Sequence, residues 1–321
     1  MADLDITTDQ YDLLTLCALR VGEASVDWSL LARNAQAPDD IAALFGGQVR
    51  EDSRTARKNL PLLQEALADL GPARSRVDAE LAAACKVGAR LVTVLDADYP
   101  ANLRMVPNLP PFLFYLGELE QRDARSIAVV GTRNASVEGL KRSARMAREL
   151  VDHDVVIASG LAKGVDAAAH EATLDAGGRT FAVMGTGIAA PVYPAENRPL
   201  AKRILDEGGA LISQFWPNSG PARWTFPRRN VVTSGATLGS VVIEASSTSG
   251  AKMQARLAAE HGKLVFLIKS LADTQPWAAK MIVERRAIQV TQSSDITDRL
   301  GTAASVQRAS QQRQQLALAG L

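Results

Sequence analysis

Three short stretches of the chain put glycine, serine or threonine, and in two cases a basic side chain, where an anion could be held. The first is "VVGTRNAS", with Gly131, Thr132 and Arg133. The second is "ASGLAKG", with Ser159, Gly160 and Lys163. The third is "EASSTSGAK", with Ser249 and Gly250 opening a helix-like run. Each comes after an apolar segment, so its backbone N–H groups and the dipole of the next helix can face an anion. A single glycine of this kind can equally serve a tight turn; the coincidence of three such loops is what points to phosphate. A fourth stretch, "GPARWTFPRRN" from Gly220 to Asn230, reads as an irregular segment and combines Arg223, Arg228 and Arg229 with Trp224 and Phe226. Guanidinium groups grip phosphates and aromatic faces stack on bases, the combination that holds a single strand without reading its sequence. The same residues could also be a solvated basic loop with its aromatics turned inward.

Other chemistries find no support. There is no G-x-x-x-x-G-K-[ST] phosphate loop. "MGTGIAAP" contains G-x-G, but the residues after it break the dinucleotide fingerprint. "HEATL" lacks a second histidine four residues on, and His153, His170 and His261 are too scattered for a metal cluster. Ser159, Asp166 and His170 lie within twelve residues across one loop and one helix, without a nucleophile elbow. Asp166 is expected instead to hold its loop by accepting hydrogen bonds near the helix start. No catalytic residue, metal or cofactor is expected.

The elements that must position these loops emerge from patterning. Residues 1–88 read as helical, a series of apolar-periodic segments mostly closed by Gly or Pro. Residues 89–125, with the strand-like "RLVTVL" and then four prolines among aromatics, read as a connector packed on the next domain. From residue 126 to 292 strands and helices alternate: "SIAVVG", "VVIASG", "TFAVMG", "ALISQF", "SVVIEA" and "KLVFLI" are separated by helical segments. Strands apolar on both faces imply a mostly parallel sheet with helices on both sides, an α/β Rossmann-like domain preceded by a small all-helical one. Right-handed crossovers then bring every strand-to-helix loop to one sheet edge. Residues 293–321 read as a last short helix and a Gln/Arg/Ala-rich tail, loosely helical or disordered.

Bulk properties restrict partners. The 321 residues carry 36 basic and 35 acidic side chains, a net charge of +1, so any nucleic-acid site must be a local patch. No apolar run approaches the roughly 18 residues of a membrane span. The acidic N-terminus lacks the apolar core of a signal peptide, and Cys17 and Cys85 lack metal-ligand spacing, so a cytoplasmic setting without a membrane partner is expected.

The motifs "GTRNAS", "ASGLAKGVDAAAH", "VMGTGIAAPVYPAEN", "GGALISQF", "FPRRN" and "VVIEASSTSGA" stand in the order and spacing of the DNA-processing protein A (DprA, or Smf) family, which the chain resembles over roughly residues 96–268. The resemblance implies a non-enzymatic protein that binds and protects single-stranded DNA in natural transformation, loads the recombinase RecA onto it, and forms a homodimer through its Rossmann-like domain. Carried over, the pocket would use Arg133, Ser159, Gly160, Lys163, Phe226, Arg229 and Asn230, with Arg223 just upstream. The chain departs from the family in four places, the first being an N-terminal region without a clear GxGP-type hairpin. Val231 comes after Asn230 where members commonly have another basic residue. The turn after "KLVFLI" lacks Pro-Gly. No C-terminal winged-helix-like segment is recognisable. The competing expectations are a nucleotide-binding sensor, antitoxin-like or defence-related protein, and a phosphoribohydrolase of the lonely-guy type. For the last, "EASSTSGAKMQ" lacks the glutamate of the first helical turn, which Glu244 would have to replace.

Overall fold

The computed structural model describes residues 4–318. Its N-terminal part is helical: α1 (Thr8–Ala18), a two-residue hairpin β1 (Arg20–Val21) and β2 (Ala24–Ser25), α2 (Trp28–Asn34), α3 (Pro38–Phe45), α4 (Arg54–Ala66) and α5 (Gly71–Lys86). The start of α1 is set by a capping box, in which the Thr7 hydroxyl accepts from the Gln10 N–H at 3.2 Å and the Gln10 amide oxygen accepts from the Thr7 N–H at 2.8 Å. The small hairpin interrupts what patterning reads as continuous helix. It turns at Gly22, whose φ of +59° suits glycine and does not belong to a helix.

The rest is built on one nine-stranded sheet. Its elements in chain order are β3 (Arg90–Thr93), β4 (Phe112–Gly117), β5 (Ser126–Val130), α6 (Val137–Val151), β6 (Val156–Ser159), α7 (Val165–Asp175), β7 (Thr180–Val183), α8 (Arg198–Asp206), β8 (Ala210–Ser213), α9 (Thr225–Ala236), β9 (Gly239–Val242), α10 (Gly250–Glu260), β10 (Leu264–Ile268), α11 (Lys269–Thr274), α12 (Pro276–Val283), β11 (Ile288–Val290), α13 (Ser294–Thr297) and α14 (Ala303–Leu318). The strand order is β11-β10-β9-β5-β6-β7-β8-β4-β3. Every pairing from β11 to β8 is parallel; β4 joins β8, and β3 joins β4, antiparallel. The stretch 89–125 therefore supplies two strands to the sheet edge as well as linking the two parts of the chain. Strands β5, β6, β7, β8 and β9 are buried along their whole length, as parallel strands covered on both faces must be.

The helical part is not a separate body. Its core runs on into β4, β7 and β8. Trp28 of α2, Phe112 of β4 and Trp216 after β8 make a ring cluster with centroids 4.9 to 5.8 Å apart. A second apolar cluster lies around β5, β9 and β10 under α6, α10 and α12. The C-terminal tail is helical as α14 and lies against the turn at Gln121–Arg125, where Gln307 Nε2 donates to Gln121 Oε1 at 3.0 Å.

One topological feature decides where a ligand fits. The order of connection reverses between β5 and β9: β5 leads on to β6 on one side, whereas β9 leads away to β10 on the other. In an open α/β sheet, the loops leaving two such strands part and open a crevice at their C-terminal ends.

Candidate functional site

The crevice is present. A cleft of about 290 Å³ lies beyond β5 and β9 and is lined by the loop after β5 (Gly131, Thr132, Arg133), the start of α10 (Ser249, Gly250) and one face of α9. The α9 face is Phe226, Arg229, Asn230 and Thr233, at helical spacings of three, four and seven.

This corrects the reading of "FPRRN" as irregular: it is the first turn and a half of α9. The helix begins at Thr225, whose hydroxyl donates to the Ala222 carbonyl at 2.9 Å, and Pro227 is tolerated because a first-turn N–H has no helical partner to lose. Helical geometry then separates the paired arginines. Arg229 turns into the cleft floor, 8% exposed. Arg228, one residue earlier and about 100° around the helix, is exposed and lines a different groove beside Trp28 and Arg256. Arg223 is exposed upstream of the helix and outside the cleft lining.

The second loop, 159–163, plays several parts. Ser159 is wholly buried and its hydroxyl donates to the Val129 carbonyl at 2.6 Å, tying β6 to β5. Gly160 donates its N–H to Asp166 Oδ2 at 3.0 Å, as expected of a carboxylate at the start of α7. A side chain at Gly160 would displace the Arg229 guanidinium, since a Cβ there would stand 1.1 Å from Arg229 Nη1. Lys163 does not line the cleft; its ammonium pairs with Glu196 on the loop after β7. At the third loop, Ser249 caps α10, accepting from the Ala251 N–H at 3.1 Å. A Cβ on Gly250 would meet nothing within 4 Å, so its value there is an open helix start rather than close packing.

Beneath the floor lies a buried polar cluster. Arg229 Nη1 is 4.0 Å from Asp166 Oδ2 and 3.4 Å from the Val183 carbonyl, and Arg229 Nε finds no partner among the described residues. Burial pushes the Asp166 carboxyl up, opposed by the Arg229 charge and the Gly160 N–H. Burial likewise pulls the Arg229 guanidinium down; Asp166 opposes this and Arg133 adds to it. An arginine remains cationic under such pressure, so the floor carries a positive charge that its carboxylate neighbour contacts only loosely. His170 is fully buried and lowered to about 3 by desolvation and then by Arg229, so it is neutral. The Thr180 hydroxyl donates to the Ile157 carbonyl at 2.7 Å and so accepts from His170 Nδ1, also at 2.7 Å. Ser159 and His170 thus have separate partners, and no Ser-His-Asp relay exists. Glu244 is committed too: its carboxylate accepts from the Ser136 hydroxyl at 2.7 Å and from the Ser136 N–H, tethering the cap of α6.

The cleft wall combines charge and ring. The Arg133 guanidinium lies over the Phe226 ring, 5.0 Å from its centroid. The ring of Tyr193, from the loop after β7, lies 5.5 Å from that of Phe226 between centroids. Phe226 also packs close to Gly185, where a Cβ would be 2.8 Å from the ring. Trp224 is 58% exposed, lies outside the cleft lining and, among the described residues, has Phe215 as its ring contact, edge-on. Sequence reasoning missed Thr233 and Gln254 of the lining, and Tyr193, which lies outside the lining and touches it through Phe226. The signal for Tyr193 was available: "GTGIAAPVYPAEN" is another loop at the C-terminal end of a parallel strand, and so belongs to the same sheet edge.

Fold and cleft together define a Rossmann-like α/β protein with a basic and aromatic crevice at its topological switch point. Residues 90–301 match the family described as DNA recombination-mediator protein A, and the chain belongs to that family. It is 37% identical to Protein Smf of Synechocystis over 190 residues, 58% of this chain and 47% of the relative, so it spans about half the length of that protein. It superposes on the X-ray structure of DNA processing protein A from Streptococcus pneumoniae with a TM-score of 0.67 at 27% identity, covering 93% of this chain and 99% of the other. A Helicobacter pylori DNA processing protein A, described for its single-stranded DNA binding mode, shares the fold at a TM-score of 0.58 and 21% identity, covering 65% of this chain and 94% of the other. No described helix is long and apolar enough to cross a membrane, and no described cluster of His, Cys, Asp or Glu could hold a metal ion.

Proposed function

We propose that the crevice between β5 and β9 binds single-stranded DNA and performs no chemistry on it. The observation that carries this reading is the Arg133–Phe226 stack above the buried Arg229. A guanidinium held over a ring offers its N–H groups to a phosphate, while the aromatic wall offers a surface to a base. Binding is then tolerant of sequence, since every base has a π-face. Family membership and the binding mode ascribed to the Helicobacter pylori protein support the same ligand.

By the same family argument the protein shields incoming strands in transformation, passes them to the recombinase RecA, acts in the cytoplasm and works as a homodimer. Arg133, Phe226, Arg229 and Asn230 make the direct contacts, with backbone N–H groups of Gly131 and Thr132 and the α10 start at Ser249 and Gly250 completing the wall. Ser159, Gly160 and Lys163 act by holding the loops, and Arg223 and Arg228 meet the strand outside the cleft. The hydrolase alternative loses support because Glu244, its required carboxylate, is spent on Ser136.

The discriminating experiment is fluorescence anisotropy with a labelled oligonucleotide and a labelled mononucleotide. Submicromolar binding of the oligonucleotide without turnover of the mononucleotide is expected. Tight mononucleotide binding with turnover would replace this reading by a nucleotide-processing one.

A further inference from the structure

Just outside the cleft lining, a second ring packs against Phe226 and is open to solvent. Phe226 is half-buried, with Arg133 over it and the Gly185 backbone against it. Tyr193 is 44% exposed and has its ring 5.5 Å from that of Phe226, inclined at 49°. Among the described residues its hydroxyl has no hydrogen-bond partner and Phe226 is its one ring contact.

The loop bearing Tyr193 is held firmly despite its length. Gly187 N–H donates to the Ser219 carbonyl at 2.7 Å, and Ala189 N–H to the Pro217 carbonyl at 2.9 Å. Ser213 Oγ donates to the Thr186 carbonyl at 2.7 Å. Beyond Tyr193, Asn197 Nδ2 donates to the Leu161 carbonyl at 2.9 Å, and Glu196 pairs with Lys163. An exposed aromatic on an anchored loop is a preorganised surface: little freedom remains to be lost when a flat ligand covers it.

We infer that Tyr193 is a stacking residue for a nucleobase of the bound strand, forming with Phe226 a two-ring platform that extends the cleft outward. The inference rests on the reading of the cleft as a single-stranded DNA site and adds a contact to it. Lys163, through its exposed pair with Glu196, adds a surface tether to the loop that carries the platform. Because the added contact is a ring and not a charge, it contributes affinity without contributing to the salt dependence.

The test measures anisotropy of a labelled thymidine 20-mer at several salt concentrations with the wild type, Tyr193→Ala, Tyr193→Phe, Phe226→Ala and Arg133→Ala, each checked for an unchanged melting curve. Tyr193→Ala is expected to bind roughly 5- to 150-fold more weakly, the range of one lost base stack, with the wild-type salt slope. Tyr193→Phe should bind within about twofold of wild type, because the ring is retained. A 2-aminopurine placed along the strand should be quenched by wild type and less so by Tyr193→Ala. Wild-type affinity in Tyr193→Ala, with Phe226→Ala and Arg133→Ala weakened, overturns this inference and leaves the cleft reading standing. A loss in Tyr193→Phe as large as in Tyr193→Ala also overturns it, since the hydroxyl and not the ring would then matter. Wild-type binding by all of the variants removes the cleft reading as well.

Discussion

Arg133 and Phe226 come from segments after different strands, β5 and β8, yet the guanidinium carbon of one lies 5.0 Å from the ring centroid of the other. The contact joins the basic and aromatic sides of the cleft, the halves proposed to meet phosphate and base, and it exists because β5 and β8 send their next segments to the same edge of the sheet.

Arg133→Ala should weaken single-stranded DNA binding and lower the slope of log affinity against log salt by about 0.7, the share of one phosphate contact on a single strand. Arg133→Lys should recover the slope but only part of the affinity, because an ammonium cannot lie flat on the ring. Affinity titrations at four or more salt concentrations separate the two effects. An unchanged slope in Arg133→Ala would mean that this side chain meets no phosphate.

Two glycines of the predicted site should respond differently. Gly160→Ala sets a methyl 1.1 Å from Arg229 Nη1, so the guanidinium must leave its place beside Asp166. Overpacking of this kind costs about 1–3 kcal/mol, and DNA affinity should fall with it. Gly250→Ala meets open space and should alter the melting temperature little. Thermal melts of both variants check the contrast; equal effects would mean that Arg229 does not sit over Gly160.

Much of this architecture was legible in the sequence. The alternation from Ser126 onward marked a parallel sheet because its strands are apolar on both faces, and the phosphate-type loops at Gly131 and Ser249 met in one crevice because crossovers share a hand. The antiparallel edge was less visible: β4 reads "FLFYLG" within a proline-rich segment, and nothing local tells an apolar strand from packed coil. The separation of Arg228 from Arg229 depended on recognising a helix behind a proline. The ion pair of Lys163 with Glu196 joins residues far apart in the chain, and no local pattern signals it.

The buried imidazole sets a pH dependence. His170 is lowered to about 3 from an ordinary 6.5 by burial and then by Arg229, and His261, which accepts from Ser234 and donates to Asn108, is lowered to about 4 by burial and then by Lys263. Below pH 6.5 the unfolded chain takes up protons at both sites and the folded chain does not. Their contribution to stability is therefore complete above about 6.5 and is lost as pH falls toward 4 and then 3. Asp166, raised by burial, acts in the opposite sense, its contribution being lost as pH rises through its folded value. Urea denaturation from pH 7 to 5 should show falling stability, while the ring resonances of His170 stay constant. A His170 ring titrating near 6.5 in the folded protein would contradict the buried neutral imidazole.

If the protein acts as a homodimer with two clefts, a strand long enough to reach both should bind on the order of a hundredfold more tightly than a short one, the second contact being intramolecular. Light scattering across micromolar concentrations should return twice the 34.2 kDa chain mass. A monomeric mass throughout, with affinity flat beyond a few nucleotides, would leave a single cleft per particle.

The proposed path of a bound strand runs through the β5–β9 crevice. The most direct measurement is photo-cross-linking of an oligonucleotide carrying 5-iodouracil at single positions, with the modified residue read by mass spectrometry. Adducts at Phe226 or Tyr193, suppressed by excess unlabelled single strand and by Arg133→Ala, are the predicted result. Efficient cross-linking elsewhere on the protein, with neither ring modified, would contradict the assignment of the β5–β9 crevice as the DNA site.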